Sequence, residues 1–584
     1  MEYTKQPCLQ SLGQHGYIQG VTLHEKATKK PFCHYFGGVR YAHPPPERWR
    51  MARKLSPSYS YGSKEQPGPG DGRTGICPQP RFLDAVSEES WTEDCFQCNI
   101  WIPIGDAPKN GWPVLFFIHG GFLQFGDPNA FSAAALLGDA QLDAIVILPA
   151  YRLNVFGFLY SSELEQDAAA VNENVGNHGF WDQRLALEWT RDHIHLFGGN
   201  ASEITVAGYS AGAYSTFYQL THDLTLPPDQ SIIKRVCIWS NSPVAQPKLP
   251  TTAQTQFTEL LTHLSIPLTL APDEKLRRLR ALPAQHLLQA AMSLPAHNQF
   301  RPTTDGTFIR SNLFASLDDG TLARRIRARD IRILCGECRD ERNLYATWFP
   351  PREDSLPALR DRLLAEYPQP LVETLLKLYY PTGELPPGVE NWRTDAFGRV
   401  YADMQVHKMQ RGLVDALTAP MTAAAVQGRP PAVTATGGAV AGTTPPTSGS
   451  CHTDDSHGHG QEDDENLVYR YRIEYRLKCA DKSIPPSWGV THATDQYIWF
   501  WGNGERLERE EKSVVWTALV EPLKKFVHGD RGLQWGTKGH KQLRTLMPDG
   551  SVQIKEDVFW DEAMRVWKAL REIGEPDSAS VARL

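Results

Sequence analysis

The sequence has no long apolar run, no basic stripe and no leader-like start. Its longest apolar stretch, residues 144–160, contains Pro149, Arg152 and Asn154, so it does not predict a membrane span. The net charge is −7, and no cluster of Lys and Arg is interleaved with aromatic residues, which argues against a nucleic-acid partner. The N-terminus lacks an apolar core behind a basic start, so it does not predict a secretory signal. These absences favour a cytoplasmic protein without a transmembrane segment, with secretion as the open alternative.

Residues spaced for metal binding are also scarce. The 10 cysteines are scattered along the chain. The CxxC motif from Cys335 to Cys338 has no second pair to complete a zinc site, and it lacks a thioredoxin context. We therefore expect neither a metal nor an organic cofactor.

Apolar runs that alternate with helical segments are what the sequence does contain. The continuous apolar runs at 114–118 and 144–148 are typical of strands buried on both faces, and the β-like runs at 203–207, 236–239 and 331–334 continue the series of strands. They predict an α/β fold with a mostly parallel central sheet and helices on both faces. Residues 16–60 predict short strands, and residues 255–295 and 354–380 predict a helical cap region. Active sites on such sheets gather at the carboxyl ends of the strands, where His119, Ser210 and Glu341 are predicted to lie.

Composition changes once along the chain. Residues 417–466 are dominated by Ala, Thr, Pro, Gly and Ser and then turn acidic, so they cannot bury enough apolar surface to order themselves. Order returns at Val468, and Trp560 to Leu570 predicts an amphipathic helix. We expect one domain over residues 1–584, with residues 417–466 as a disordered insertion within it.

The segment Gly208-Tyr209-Ser210-Ala211-Gly212 places a serine between a predicted strand and a predicted helix. A sharp strand-to-helix turn of this kind exposes the serine hydroxyl above the sheet, and glycines on either side relieve steric clashes. The first N–H groups of the following helix can face a developing negative charge. This pattern predicts a nucleophilic serine at residue 210.

A nucleophilic serine needs a base, an acid that orients the base, and donors for the oxyanion. His492 lies in a late loop, and Glu341 follows a predicted strand. The Gly120-Gly121 segment lets backbone N–H groups approach a carbonyl oxygen. The order serine, acid, histidine is the chain order of α/β-hydrolases.

Several further motifs, in matching order, resemble the type-B carboxylesterase/lipase family, which includes the cholinesterases. The resemblance covers nearly the whole chain and implies the α/β-hydrolase fold. The segments that carry it are Phe36 to Pro45, Cys77-Pro78-Gln79, Glu93 to Trp101, Tyr151 to Leu159, Gly176 to Arg184, Phe197 to Asn200 and Asp305-Gly306.

The resemblance implies roles for individual residues. Ser210 matches the family's nucleophile, Glu341 its acid and His492 its base, and Asp340 and Glu337 rank below Glu341. The oxyanion donors would be the N–H groups of Gly121, Phe122 and Ala211. Cys77 and Cys95 match the family's first disulfide, with free thiols as the alternative in a reducing compartment.

Some positions depart from the family pattern. Phe122 stands where the family has a third loop glycine, Tyr209 replaces the glutamate before the serine, and Arg342 replaces a glycine after the acid. The segment from Cys77 to Cys95 shows no equivalent of the choline-stacking tryptophan. Choline esters are therefore disfavoured as substrates.

Together these residues predict a serine hydrolase that cleaves a small-molecule carboxylic ester through an acyl-enzyme. The alternatives are an acyltransferase or lactone hydrolase with the same triad, and a non-catalytic esterase-like interaction module. Tyr209, Phe122, Trp239 and Phe300 are aromatic candidates for either the pocket wall or the core. The physiological ester and the oligomeric state stay open.

Overall fold

The computed structural model of the protein describes residues 1–82, 88–243, 247–294, 298–419 and 467–573. The strands, numbered in chain order, are β1 Tyr3–Ser11, β2 Tyr17–Glu25, β3 Pro31–Arg40, β4 Ala42–His43, β5 Arg53–Lys54, β6 Gly68–Pro69, β7 Gln97–Pro103, β8 Trp112–Ile118, β9 Ile145–Pro149, β10 Gly199–Tyr209, β11 Ile233–Trp239, β12 Arg332–Cys338, β13 Val468–Ile473, β14 Gln542–Leu546 and β15 Val552–Glu556.

The helices are numbered in the same way. They are α1 Ala134–Gly138, α2 Asn154–Phe158, α3 Ser162–Ala169, α4 His178–His193, α5 Ala211–Asp223, α6 Pro250–His263, α7 Pro272–Arg280, α8 Ala284–Met292, α9 Leu313–Asp318, α10 Thr321–Ala328, α11 Arg342–Tyr345, α12 Leu356–Leu364, α13 Gln369–Tyr379, α14 Phe397–Ala402, α15 Lys408–Thr418, α16 Asp495–Trp499, α17 Arg509–Val515, α18 Glu521–Val527 and α19 Trp560–Glu572. Single π-helical turns occur at Trp392–Ala396, Asp403–His407 and Trp516–Val520.

Most strands join one large sheet. In the described part of the chain it has 13 strands, in the order β1-β2-β3-β7-β9-β8-β10-β11-β12-β13-β14-β15, with β6 paired to β2. The pairs from β9 and β8 through to β13 and β14 are parallel. The pairs at the two edges, β1 through β7 to β9 on one side and β14 with β15 on the other, are antiparallel.

The sheet separates two hydrophobic cores. Along β8, Val114, Phe116 and Ile118 belong to one core, whereas Leu115 and Phe117 belong to the other. Successive side chains of a strand point to opposite faces, so a strand covered on both sides needs apolar residues at every position. This explains the unbroken apolar runs and confirms the predicted sheet with helices on both faces.

The N-terminal region differs from the prediction. Instead of short strands beginning near residue 16, it forms β1, β2 and β3, which have 9, 9 and 10 residues. The outermost strand, β1, is half exposed and includes Pro7, which an edge strand tolerates because it lacks only an outward N–H group. The length of these strands was not predicted because polar and apolar residues are mixed along them.

Strand β12 is longer than its apolar run and includes the whole CxxC motif. Cys335 belongs to one hydrophobic core and Cys338 to the core on the opposite face of the sheet. The two thiols therefore cannot bind the same metal ion.

The helical regions agree with the prediction. Helices α6, α7 and α8 occupy residues 250–292, and α12 and α13 occupy residues 356–379. The predicted amphipathic helix near the C-terminus is α19. Among the described residues, no helix combines the length and hydrophobicity that a membrane crossing requires.

The proposed insertion is described only at its first residues. Helix α15 continues to Thr418, with Leu417 buried, so the boundary predicted at residue 417 falls inside a packed helix. Residues 420–466 lie outside the described residues, and the prediction of a disordered insertion is untested there.

Candidate active site

Ser210 lies at a sharp turn between β10 and α5. Its φ is +56°, an uncommon value for a residue with a side chain, and its N–H donates to the carbonyl oxygen of Trp239 at 2.9 Å. A Cβ on Gly208 would overlap the backbone of Gly212, and a Cβ on Gly212 would overlap the carbonyl group of Ile118. The close approach of these backbones explains both glycines of the motif.

Two hydrogen bonds join Ser210, His492 and Glu341. His492 Nε2 lies 2.8 Å from Ser210 Oγ, and His492 Nδ1 lies 2.6 Å from Glu341 Oε2. The exposed fractions of the three residues are 3%, 2% and 0%. Shielding from water strengthens these hydrogen bonds and keeps the imidazole in one orientation. The structure thus brings together the three side chains that the sequence predicted.

The backbone around the acid fixes its position. Glu341 Oε1 accepts a hydrogen bond from the N–H of Cys338 at 2.8 Å. The hydroxyl of Thr491 accepts from the N–H of Leu344 at 3.1 Å, which ties the loop carrying His492 to the loop carrying Glu341. Both ends of the Glu341–His492 contact are therefore held by the fold.

The two lower-ranked carboxylates have other partners. Asp340 Oδ2 accepts from the N–H of Val490 at 2.9 Å, and it forms an ion pair with Arg339. Glu337 points into a buried group of cations, and Arg411 Nη1 lies 2.8 Å from its Oε2. Burial by itself would raise the pKa of the Glu337 carboxyl, but Arg411, His407 and Arg472 outweigh it and hold the pKa well below its usual range. Of the three acids, Glu341 is the one that contacts His492.

The glycine loop after β8 passes against the nucleophile. A Cβ built on Gly120 would lie 2.9 Å from Ser210 Cβ. Gly121 has φ +110° and Phe122 has φ +55°, so Phe122 adopts a conformation that favours glycine. For the N–H groups of Gly121, Phe122 and Ala211, the described residues provide no hydrogen-bond acceptor. Three donors beside Ser210 are thus available to an oxygen of a bound substrate.

Phe122 is held in its strained conformation by packing and by a buried arginine. Its ring stacks on Trp348 with centroids 4.4 Å apart and an interplanar angle of 4°. Its carbonyl oxygen accepts from Arg301 Nη1 at 2.5 Å, and Arg301 Nη2 lies 2.9 Å from Glu366 Oε2. These contacts offset a backbone cost of about 1–3 kcal/mol.

A second carboxylate lies near the acid. Asp495 is fully buried, and its Oδ2 accepts from the hydroxyl of Ser240 at 2.8 Å. Burial and the nearby charge of Glu341 raise the pKa of Asp495 to about 7. Sequence reasoning assigned Asp495 no role, although it belongs to the same Thr491–Asp495 segment as His492.

Two cavities meet at Ser210. The large cavity, about 320 Å³, is lined by His492, Tyr209 and apolar side chains such as Phe125 and Leu344. The small cavity, about 40 Å³, is lined mainly by polar side chains, among them Lys248 and Arg301. Ser210 and Phe122 line both.

The four aromatic candidates for the pocket wall divide between wall and core. Tyr209 lines the large cavity and Phe122 lines both cavities. Trp239 and Phe300, which are 1% and 0% exposed, belong to the hydrophobic core. Tyr209 and Phe122 are buried in the same cores, so it is their position beside a cavity, which a single sequence does not reveal, that separates the two pairs.

Cys77 and Cys95 are buried and are free cysteines in the structure. The Cys77 sulfur accepts a hydrogen bond from the N–H of Leu153 at 3.3 Å. Hydrogen bonding to Cys77, together with burial, raises the pKa of the Cys95 thiol well above its usual value. The structure contains both residues as thiols, and a disulfide between them stays a prediction.

The chain is similar to known proteins over nearly its whole length. Residues 9–546 match the model of the carboxylesterase family. A carboxylic ester hydrolase of Gibberella moniliformis is 40% identical over 573 residues, which cover 97% of this chain and 96% of that protein. An uncharacterized esterase/lipase of Schizosaccharomyces pombe is 34% identical over 578 residues, or 97% of both chains. The crystal structure of Aspergillus niger EstA superimposes with a TM-score of 0.68 at 19% identity, covering 97% of this chain and 98% of that one.

Proposed function

Because the chain belongs to the carboxylesterase family and is a carboxylic ester hydrolase of the α/β-hydrolase fold, we propose that Ser210, His492 and Glu341 form its catalytic triad. The reaction would pass through an acyl-enzyme on Ser210. The observation that carries the proposal is the buried pair of hydrogen bonds, 2.8 Å from His492 to Ser210 and 2.6 Å from His492 to Glu341.

Acylation begins when His492 Nε2 takes the proton of Ser210 while Oγ attacks the ester carbonyl carbon. Glu341 holds the imidazole through Nδ1 and stabilises its positive charge. The carbonyl oxygen becomes an oxyanion in the tetrahedral intermediate. When the bond to the alcohol oxygen breaks, His492 gives its proton to that oxygen and the alcohol leaves.

Deacylation repeats these steps with water. His492 Nε2 takes a proton from a water molecule, and the resulting hydroxide attacks the acyl carbon. The bond to Ser210 Oγ breaks, Oγ recovers the proton from His492, and the carboxylic acid departs. The chain's own side chains perform every proton transfer in this scheme.

The oxyanion would be bound by the N–H groups of Gly121, Phe122 and Ala211. Support comes from their availability and from the position of the loop beside Ser210. Such donors stabilise charge that develops only in the transition state, and losing one typically lowers kcat about 10²–10³-fold. Arg301 contributes as a positioning residue, because it holds the carbonyl oxygen of Phe122.

The test is the Ser210→Ala variant, with hydrolysis of p-nitrophenyl butanoate as the readout. In a comparable triad, losing the nucleophile lowers kcat by a factor on the order of 10⁶. A fluorophosphonate should add its mass to the wild-type protein at Ser210 and not to the variant. The matched control is Ser202→Ala, which changes an exposed serine of β10.

Retention of more than about a tenth of the wild-type rate by pure Ser210→Ala protein would contradict the assignment. Product analysis with an added alcohol distinguishes the two fates of the acyl group. Free acid as the main product agrees with hydrolysis, whereas a new ester as the main product would show an acyltransferase.

A further inference from the structure

The small cavity beside Ser210 is unusual in its lining. Three of the residues that line it, Lys248, Arg301 and Glu366, have side chains that can carry charge, and its uncharged polar residues include Asn241, Tyr367 and Gln405. Its volume is about 40 Å³. A buried water molecule needs about 10–15 Å³, so the cavity has room for about three water-sized groups. That is the size of a short acyl chain with a polar end.

The position of His492 decides which part of an ester enters each cavity. His492 gives its proton to the departing alcohol oxygen, so the alcohol must lie on the side of the imidazole. His492 lines the large cavity, whereas the small cavity is bounded by Ser210, Ala211 and Phe122. The acyl chain therefore enters the small cavity, and the alcohol occupies the large, more apolar one.

The charges around the small cavity do not cancel. The carboxylate of Glu366 is already shared among Arg301 Nη2 at 2.9 Å, Arg362 Nη2 at 2.8 Å and the hydroxyl of Tyr401 at 2.8 Å. Lys248 Nζ, by contrast, donates to uncharged oxygens, at 2.6 Å to the carbonyl group of Gln299 and at 3.2 Å to Oε1 of Gln256. Lys248 and Arg301 thus bring more positive charge to the cavity than Glu366 removes.

We propose that the enzyme prefers esters whose acyl chain is short and ends in a carboxylate, such as a half-ester of succinic acid, with Lys248 as the residue that selects the charge. This inference rests on the proposed function of Ser210 and His492. An anionic end would gain a charge-assisted hydrogen bond in a site shielded from water. A neutral chain of the same length would leave the cation of Lys248 without a charged partner.

The ionisation of Lys248 agrees with this assignment. Burial and the nearby Arg301 lower its pKa to about 7, although Glu366 and Glu259 act in the opposite direction. A carboxylate in the cavity would stabilise the protonated amine. The carboxylate would thereby raise the pKa of Lys248 above about 7.

The experiment compares benzyl hydrogen succinate with benzyl 4-oxopentanoate, in which a methyl ketone replaces the carboxylate at equal length. Release of benzyl alcohol at pH 7 gives kcat/KM for each ester. For the wild type we expect a ratio of at least about 10 in favour of the succinate, the usual effect of one charge-assisted hydrogen bond. In Lys248→Met the ratio should fall to about 1 or below.

The matched control is Lys54→Met, which removes an exposed lysine paired with Glu188 and should leave the ratio unchanged. If Lys248→Met does not fold, Lys248→Gln replaces it. A further pair, 4-carboxybenzyl butanoate and benzyl butanoate, places the carboxylate on the alcohol instead. A preference for the anion only in this pair would overturn the assignment of the two cavities.

Two other results would overturn the proposal. One is a wild-type ratio of 1 or less for the succinate pair, whatever the variants do. The other is a high ratio that persists in Lys248→Met. Failure of the proposed function would give a different result. In that case Ser210→Ala would hydrolyse both neutral and anionic esters as fast as the wild type.

Discussion

At the scale of single residues, the site depends on side chains that are far apart in sequence. His492 lies 282 residues after Ser210 and 151 residues after Glu341. Each of them follows a strand or loop whose end points to the same edge of the sheet. Their meeting is therefore a consequence of the fold and not of local sequence.

The three neighbouring acids give a prediction that separates their roles. Replacing an acid that orients the base lowers kcat by about 10⁴, because the imidazole loses its tautomer and its orientation. Glu341→Gln should show this loss in p-nitrophenyl butanoate hydrolysis. Asp340→Asn, at the adjacent position, should keep kcat within about tenfold of the wild type, because Asp340 contacts a backbone N–H group and Arg339 instead.

Glu337→Gln provides the second comparison for this prediction. It removes the buried carboxylate charge that faces Arg411 and Arg472, and although Arg411 keeps its ion pair with Asp557, breaking a buried ion pair typically costs about 3–5 kcal/mol of stability. A loss of kcat in Asp340→Asn or Glu337→Gln at unchanged stability, with Glu341→Gln active, would show that the acid is misassigned.

The sequence predicted the residues that local motifs carry and missed those that only packing brings to the site. Ser210 has its own turn signature, and the resemblance supplied His492 and Glu341. Arg301 and Phe122 are 179 residues apart in sequence, and no sequence motif predicts the hydrogen bond between the Arg301 side chain and the Phe122 carbonyl oxygen. Lys248 likewise differs from other lysines only because the fold buries it, leaving it 7% exposed, and the sequence does not reveal this burial.

At the scale of elements, the turn between β10 and α5 fixes the nucleophile. The backbone of Gly208 faces that of Gly212, and Gly212 in turn contacts β8 through the carbonyl group of Ile118. The neighbouring strands β8 and β11 hold β10 on both sides. Little backbone movement is therefore available to absorb an added methyl group.

Gly208→Ala should lower the free energy of unfolding by at least about 2 kcal/mol, because the new Cβ meets backbone and not a flexible side chain. The displaced turn should also lower the rate of ester hydrolysis. Gly539→Ala is the control, since a Cβ there meets no atom within 4 Å. Denaturant unfolding of both variants would measure the difference, and equal stability of the two would contradict the close packing of the turn.

Prediction of elements succeeded where both faces of a strand are buried. The runs in β8 and β9 were visible because every position in them is apolar, although both strands extend beyond the runs. Strand β1 was missed because its exposed face carries polar residues and one of its positions is Pro7. Strand ends and edge strands are set by pairing with neighbours, which a single sequence does not reveal.

At the scale of the whole molecule, one continuous sheet joins distant parts of the chain. Strand β1 begins at Tyr3 and β15 ends at Glu556, and both belong to the same sheet. This arrangement supports the prediction of a single domain, which remains to be tested by unfolding experiments. Both hydrophobic cores extend along the sheet and reach the loops that carry the site.

Asp495 links the site to the stability of the whole molecule. It lies where several elements converge, and burial is the main reason that its pKa is about 7 instead of the usual 3.8. The nearby charge of Glu341 acts in the same direction and His492 in the opposite one. Asp495 in turn contributes to raising the pKa values of Tyr209, Cys338 and Tyr471.

The sign of the resulting pH dependence follows from the raised pKa. Below pH 3.8 the carboxyl group is protonated in both the folded and the unfolded chain. Between pH 3.8 and about 7 the unfolded chain loses the proton while the folded chain keeps it, so the stability contributed by Asp495 is lost as the pH rises. Between pH 5 and pH 8 this loss is on the order of 2 kcal/mol.

Asp495→Asn should remove this dependence, because an amide accepts the Ser240 hydrogen bond without ionising. The variant should therefore gain stability relative to the wild type as the pH rises from 5 to 8, by on the order of 2 kcal/mol. Denaturant unfolding of both proteins at the two pH values measures this gain. Asp229→Asn, at an exposed position, serves as the control. The prediction would be wrong if the difference in stability between Asp495→Asn and the wild type were the same at both pH values. Asp495 would then already be ionised in the folded protein at pH 5, and it would carry a full charge beside Glu341.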